Sequence, residues 1–145
     1  MAVRRVPPAE ADRMLRDEGY VYLDVRSIPE YDQGHVPGAF NVPLLHMGPA
    51  GMTPNGAFLE VVQANFPKDA KIITGCKAGG RSLRAAETMQ AAGYGQVVDM
   101  QGGFHGELDG MRRLVAAGWS QSGLPVESQP SPGHGYADLE AKAHK

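Results

Sequence analysis

An alternation of period constrains this chain more than any other feature. Segments with strand character alternate with segments whose apolar residues recur at helical spacing. Residues 20–25 and 71–75 are rich in β-branched and aromatic side chains and read as strands, as do 40–44 and 96–100. Pro43 assigns the 40–44 strand to a sheet edge or a strand end. Helices are expected over 7–19, closed by Gly19, and over 58–66, 81–92 and 106–117, the last with a stripe of Leu108, Met111 and Val115. Ser27 and Glu30 have capping-box spacing, which starts a short helix over 29–33 that Gly34 ends. Residues 46–56 read as a turn-rich loop in which Met47 and Met52 serve loop packing. Strands alternating with helices imply an α/β fold with a mostly parallel sheet.

The chain has 145 residues, 42% of them hydrophobic, enough for one domain with its own core. Past Glu127 the composition turns to Ser, Pro, Gly, His and Lys. The expected organisation is one domain over 1–127 and a peripheral tail over 128–145, with a short surface helix over 136–145. A net charge of -2 argues against a nucleic-acid surface, and no apolar run has the length of a membrane span. The first residues lack a secretion-signal core, and Glu10 and Asp12 disfavour a transit peptide, so a cytoplasmic location is expected. With one cysteine, neither an internal disulfide nor a cysteine zinc site can form. His46, His105, His134 and His144 lack metal-ligand spacing, so neither a metal nor another cofactor is expected.

That cysteine, Cys76, directly follows the 71–75 strand and precedes Lys77-Ala78-Gly79-Gly80-Arg81-Ser82 and a helix. Open α/β sheets bind ligands at the carboxyl ends of their strands. A glycine-rich turn into a helix gathers unpaired N–H groups into an anion nest, and the helix dipole, Lys77 and Arg81 add positive potential. Such a field favours a thiolate over a thiol. The opposing reading, an inert buried cysteine, fits poorly between a glycine and a glycine-rich basic loop.

These residues resemble the rhodanese family. Cys76 to Ser82 looks like the Cys-x-x-Gly-x-Arg loop of small single-domain members. Leu23-Asp24-Val25-Arg26, then Glu30-Tyr31, Gly34-His35-Val36-Pro37-Gly38-Ala39 and Asn41-Val42-Pro43, is similar to the amino-terminal signature. Gly102-Gly103-Phe104 and Trp119 through Gly123-Leu124-Pro125-Val126 resemble the closing motif. The resemblance implies a three-layer α/β/α domain. It also implies a thiosulfate sulfurtransferase that forms a persulfide on Cys76 and passes the sulfur to cyanide, a thiol or a protein acceptor. Lys77 resembles thiosulfate-using rather than mercaptopyruvate-using members. Asp24 and Arg26 are expected to anchor the site through ion pairs, His35 to bond locally in a turn, and Ser82 to order the first helical turn. Two readings compete. A cysteine phosphatase uses a Cys-x5-Arg loop, whereas four residues separate Cys76 from Arg81 here, a tighter ring suited to sulfur. A relay module would carry persulfide sulfur between proteins with the same loop. Between Gly103 and Trp119 the chain is longer than the compact family pattern.

Overall fold

In chain order the elements are β1 (Arg4–Val6), α1 (Pro8–Asp17), β2 (Val21–Asp24), α2 (Ile28–Gln33), β3 (Phe40–Asn41), β4 (Leu45–Gly48), β5 (Gly51–Pro54), α3 (Phe58–Asn65), β6 (Ile72–Gly75), α4 (Gly80–Ala91), β7 (Val97–Met100), β8 (Glu107–Leu108), β9 (Leu114–Ala116) and α5 (Tyr136–Ala143). The structure, a computed structural model, describes residues 3–77, 80–129 and 132–143. Five strands form one parallel sheet in the order β1-β7-β6-β2-β3.

Side chains alternate across this sheet, and the register aligns them in rows. Tyr22, Ile73 and Val98 lie in one row and pack with Ala11 and Met14 of α1, Tyr31 of α2 and Trp119. The next row begins with Ile72 and Val97, and this face packs with Phe58, Val61 and Val62 of α3 and Ala85, Ala86 and Met89 of α4. The result is three layers, α/β/α. The connection after β2 runs outward to β3 over the α2 face, and the one after β6 runs the other way to β7 over the α4 face. The two connections diverge between adjacent strands, so a crevice opens at the carboxyl ends of β2 and β6, where such sheets place ligands.

The structure corrects several expectations. Residues 106–117 form a hairpin, β8–β9, not a helix. Its turn is held by the Asp109 carboxylate, which accepts the N–H groups of Met111 (2.8 Å) and Arg113 (2.9 Å), and Arg112 takes a left-handed φ of 62°. The stripe that suggested a helix is on the outside: Leu108, Met111 and Val115 are exposed. Residues 46–56 are mostly a second hairpin, β4–β5, with Met47 and Met52 paired across it and both exposed. β1 was invisible because its reason for being a strand is its partner β7, ninety residues away. The 40–44 strand keeps only Phe40 and Asn41, on the sheet edge.

The tail is not peripheral. Tyr136 and Leu139 of α5 are buried in the core against α3, and the Asn65 side-chain amide donates to the Leu139 carbonyl (2.9 Å). His134 stacks on Phe40 at 3.8 Å, and its carbonyl accepts the Asn41 N–H (2.9 Å), so this segment covers the open edge of β3. His144 and Lys145, the last two residues of the expected surface helix, lie outside the described residues.

Candidate active site

Cys76 follows Gly75 at the end of the central strand and is 2% exposed. Residue 75 is glycine for a steric reason: a Cβ there would fall inside the phenol of Tyr22, which crosses beneath it. The Tyr22 hydroxyl is buried and has no hydrogen-bond partner among the described residues. Burial raises its pKa well above the ordinary value, with Asp24 adding to the effect and Arg26 opposing it.

The backbone of the loop is held from one side by the turn after β7. Phe104 N–H donates to the Cys76 carbonyl (2.6 Å) and His105 N–H to the Lys77 carbonyl (2.9 Å). This approach requires Gly103, whose φ is +61° and whose Cβ would lie 2.6 Å from the Cys76 oxygen and from the Lys77 carbonyl group. The Gly103 carbonyl in turn accepts the Trp119 N–H (2.9 Å).

The sequence-selected residues fall into three groups. Cys76 and exposed Lys77 are at the loop itself, and Gly80 opens α4; Ala78 and Gly79 lie outside the described residues. Arg81 and Ser82 brace the loop. The Arg81 guanidinium forms a two-pronged pair with Glu30 of α2 (2.8 and 3.0 Å) rather than standing as an uncommitted charge. Burial would raise the Glu30 pKa, but hydrogen bonds from Arg81 and Ser27 and the Arg81 charge together hold it at about 2. Ser82 is buried and bonds Asp99, whose carboxylate also accepts from Arg5 Nε (3.0 Å) and the Thr74 hydroxyl (3.0 Å). Burial nevertheless raises the Asp99 pKa.

Asp24 and Arg26 form a buried pair at the end of β2, with Arg26 Nε 3.0 Å and a terminal nitrogen 2.7 Å from the carboxylate. Arg26 also donates to the Gly34 carbonyl (2.6 Å) and lies 4.6 Å over the Phe104 ring. His35 is fully buried, stacked on Tyr31 at 3.8 Å, with Nδ1 2.7 Å from the Tyr31 carbonyl and Nε2 3.1 Å from Glu127. It holds the α2–β3 connection to residue 127 and not the loop.

Sequence reasoning missed Glu30 as the partner of Arg81 and Asp99 as the anchor of Ser82. Glu30 carried a signal, its capping-box spacing to Ser27, which explains only half of what it does. Two surface clefts, one of 270 Å³ beside Pro8, Gln101 and Ala116 and one of 290 Å³ beside Leu15, Val36 and Trp119, contain no residue of this loop. Among the described residues no group of His, Cys, Asp and Glu could hold a metal, and no helix is long and apolar enough to cross a membrane.

A family model described as "Rhodanese-like domain" matches residues 7–106. The chain belongs to the rhodanese-like family. Thiosulfate sulfurtransferase 16, chloroplastic, of Arabidopsis thaliana is 37% identical over 127 residues, covering 86% of this chain and 96% of that protein. The senescence-associated protein DIN1 of Raphanus sativus is 37% identical over 129 residues, 87% of this chain, and this chain spans 64% of it. The crystal structure of Rv0390 from M. tuberculosis superposes with a TM-score of 0.72 at 28% identity, covering 89% of this chain and all of that one. The rhodanese-like match ends at Gly106, where the β8–β9 hairpin begins. The β8–β9 ribbon of this rhodanese-like domain is rooted beside the Cys76 loop, because His105 just before it is bonded to the Lys77 carbonyl.

Proposed function

We propose that this protein is a thiosulfate sulfurtransferase acting through a persulfide on Cys76. The observation that carries the reading is the placement of Cys76. The thiol ends the central strand in the crevice between β2 and β6 and leads into α4. A donor's outer sulfur is attacked by the Cys76 thiolate, and sulfite leaves with the electron pair of the broken S–S bond. The α4 N-terminus and Lys77 favour the anionic forms of enzyme and persulfide. An acceptor such as cyanide or a thiol then takes the sulfur. This chain has one cysteine, so the sulfur passes to an outside acceptor rather than being released through an internal disulfide. A thiolate with no resolving cysteine in its own chain is open to irreversible over-oxidation, which suits a reducing compartment such as the cytoplasm.

The engagement of Arg81 by Glu30 supports this reading over a phosphatase, whose loop arginine must be available to grip a phosphate. The relay reading draws support from the exposed Leu108, Met111, Leu114 and Val115 on the ribbon beside the loop, an apolar surface suited to a protein acceptor. Turnover with thiosulfate and cyanide separates the two: fast turnover identifies the enzyme, and slow turnover with Cys76 loaded by a protein identifies the relay. The central test is intact mass measurement after thiosulfate treatment. The wild type gains one sulfur atom and Cys76→Ser gains none; a wild type that gains no sulfur from any sulfane donor refutes the reading.

A further inference from the structure

A persulfide on Cys76 must be discharged, and a thiol acceptor brings a proton that blocks its attack. An ordinary thiol has a pKa of about 8.5, so at pH 7 only about 3% is thiolate. The loop has a group placed to take that proton. His105 follows Phe104 in the turn hydrogen-bonded to the Cys76–Lys77 backbone, and its own N–H is bonded to the Lys77 carbonyl (2.9 Å). The imidazole is exposed and meets the Phe104 ring edge-on at 5.0 Å, while the Phe104 ring lies under Arg26. Three charged groups act on it: Arg26 from the end of β2, Lys77 from the loop and Glu30 from α2. The imidazole is thus carried by a turn hydrogen-bonded to the loop itself and is open to solvent there.

We propose that His105 is the general base for thiol acceptors in the discharge of the Cys76 persulfide. The proposal rests on the persulfide reading above. The acceptor S–H proton passes to an imidazole nitrogen, and the acceptor thiolate attacks the outer sulfur of the persulfide. A new S–S bond forms as the bond to Cys76 Sγ breaks, with its electron pair remaining on Sγ. Cys76 returns as a thiolate, the acceptor leaves as its own persulfide, and the imidazolium gives its proton to water. No outside oxidant or reductant takes part. Partial burial lowers the His105 pKa, and the Arg26 and Lys77 charges lower it further against the opposing pull of Glu30. A base that stays neutral at pH 7 is the form this step needs. Thiosulfate loading and discharge to sulfite involve no S–H proton, so His105 has no part in either.

The test compares wild type with His105→Gln in single-turnover discharge. Cys76 is first loaded from thiosulfate, and the rate of sulfur loss is followed to a small thiol and, separately, to sulfite. A base at pH 7 can gain at most about thirtyfold over the thiolate already present. The variant is expected to lose about tenfold with the thiol at pH 7, to converge on the wild type near pH 9, and to match it with sulfite throughout. Equal thiol rates in the two proteins overturn the proposal. So does a loss shared by thiol and sulfite at every pH, which identifies a structural role. If the wild type never loads, the persulfide reading itself fails; if it loads and the variant discharges normally to thiols, only the role of His105 fails.

Discussion

Removing the charge of Glu30 tests how the loop is braced. Glu30→Gln keeps an acceptor for Ser27 N–H and the Ser27 hydroxyl, now 3.1 and 2.8 Å away, because glutamine also serves a capping box. What it removes is the ion pair with Arg81. The Glu30 pKa drops from its ordinary 4.5 to about 2 in the folded protein. At about 1.4 kcal/mol per pH unit this corresponds to roughly 3 kcal/mol in the fully ionised state. Part of this comes from the Ser27 hydrogen bonds, which glutamine keeps, and solvent screens a further part because the Glu30 side chain is 15% exposed and that of Arg81 17%, so a loss of about 2 kcal/mol at pH 7 is expected. Because the folded pKa is depressed, this stabilisation is fully present above pH 4.5 and is lost as the pH falls through 2. Urea unfolding of both proteins at a series of pH values measures the gap. It should be constant from pH 7 to 5 and fall to roughly two fifths of that value by pH 3. A gap that persists undiminished at pH 3, or no gap at pH 7, refutes the assignment of the stabilisation to this pair.

Two further substitutions test the frame around the site. Gly103→Ala places a Cβ 2.6 Å from the backbone of Cys76 and Lys77 at a φ of +61°. With about 1–2 kcal/mol for the left-handed backbone and about 1 kcal/mol for each of two loop hydrogen bonds displaced, a loss of about 3 kcal/mol is expected in urea unfolding, with slower persulfide formation. A change under about 0.5 kcal/mol would show that the turn is not pressed against the loop. Leu139→Ala, at 1% exposure between α5 and α3, should destabilise by about 2–5 kcal/mol in the same assay. A surface-like effect under about 0.5 kcal/mol would return the tail to the periphery.

The sheet and its flanking helices were legible because their signals are local. Residues 22–25 and 72–75 are buried within a parallel sheet, so their runs read as strands, and Ser27 with Glu30 marked α2 directly. The ribbons were not legible. Leu108, Met111 and Val115 have helical spacing by coincidence, and nothing buries them; the deciding information is Asp109 folding back on its own backbone and the positive φ values of Gly106 and Arg112. The tail failed for the opposite reason. Its composition is that of a loop, yet two residues, Tyr136 and Leu139, fill a groove on α3 that exists only once the sheet is assembled. At the site, the loop was read from a contiguous motif, whereas its braces are distant in sequence: Arg81 to Glu30 spans 51 residues, and Thr74 to Asp99 spans 25.

Those braces change what the loop can do to a bound anion. Arg26 and Arg81 both lie near Cys76, and charge counting alone would give the thiol two strong cations. Each is instead closed by a carboxylate at hydrogen-bond distance, Asp24 for Arg26 and Glu30 for Arg81. A closed pair acts at a distance as a dipole, and its field falls off faster than that of a lone charge. Among the described residues Lys77 forms no such ion pair, and it faces solvent, where its charge is screened. Backbone N–H groups at the start of a helix carry partial positive charges and need no counter-ion, so the proposed persulfide would draw on them rather than on the two paired guanidinium groups. A compact, polarisable sulfur anion lying against those groups is served by that arrangement. A doubly charged tetrahedral anion would need the guanidinium that Glu30 already holds, which favours the proposed sulfur transfer over phosphate chemistry at this loop.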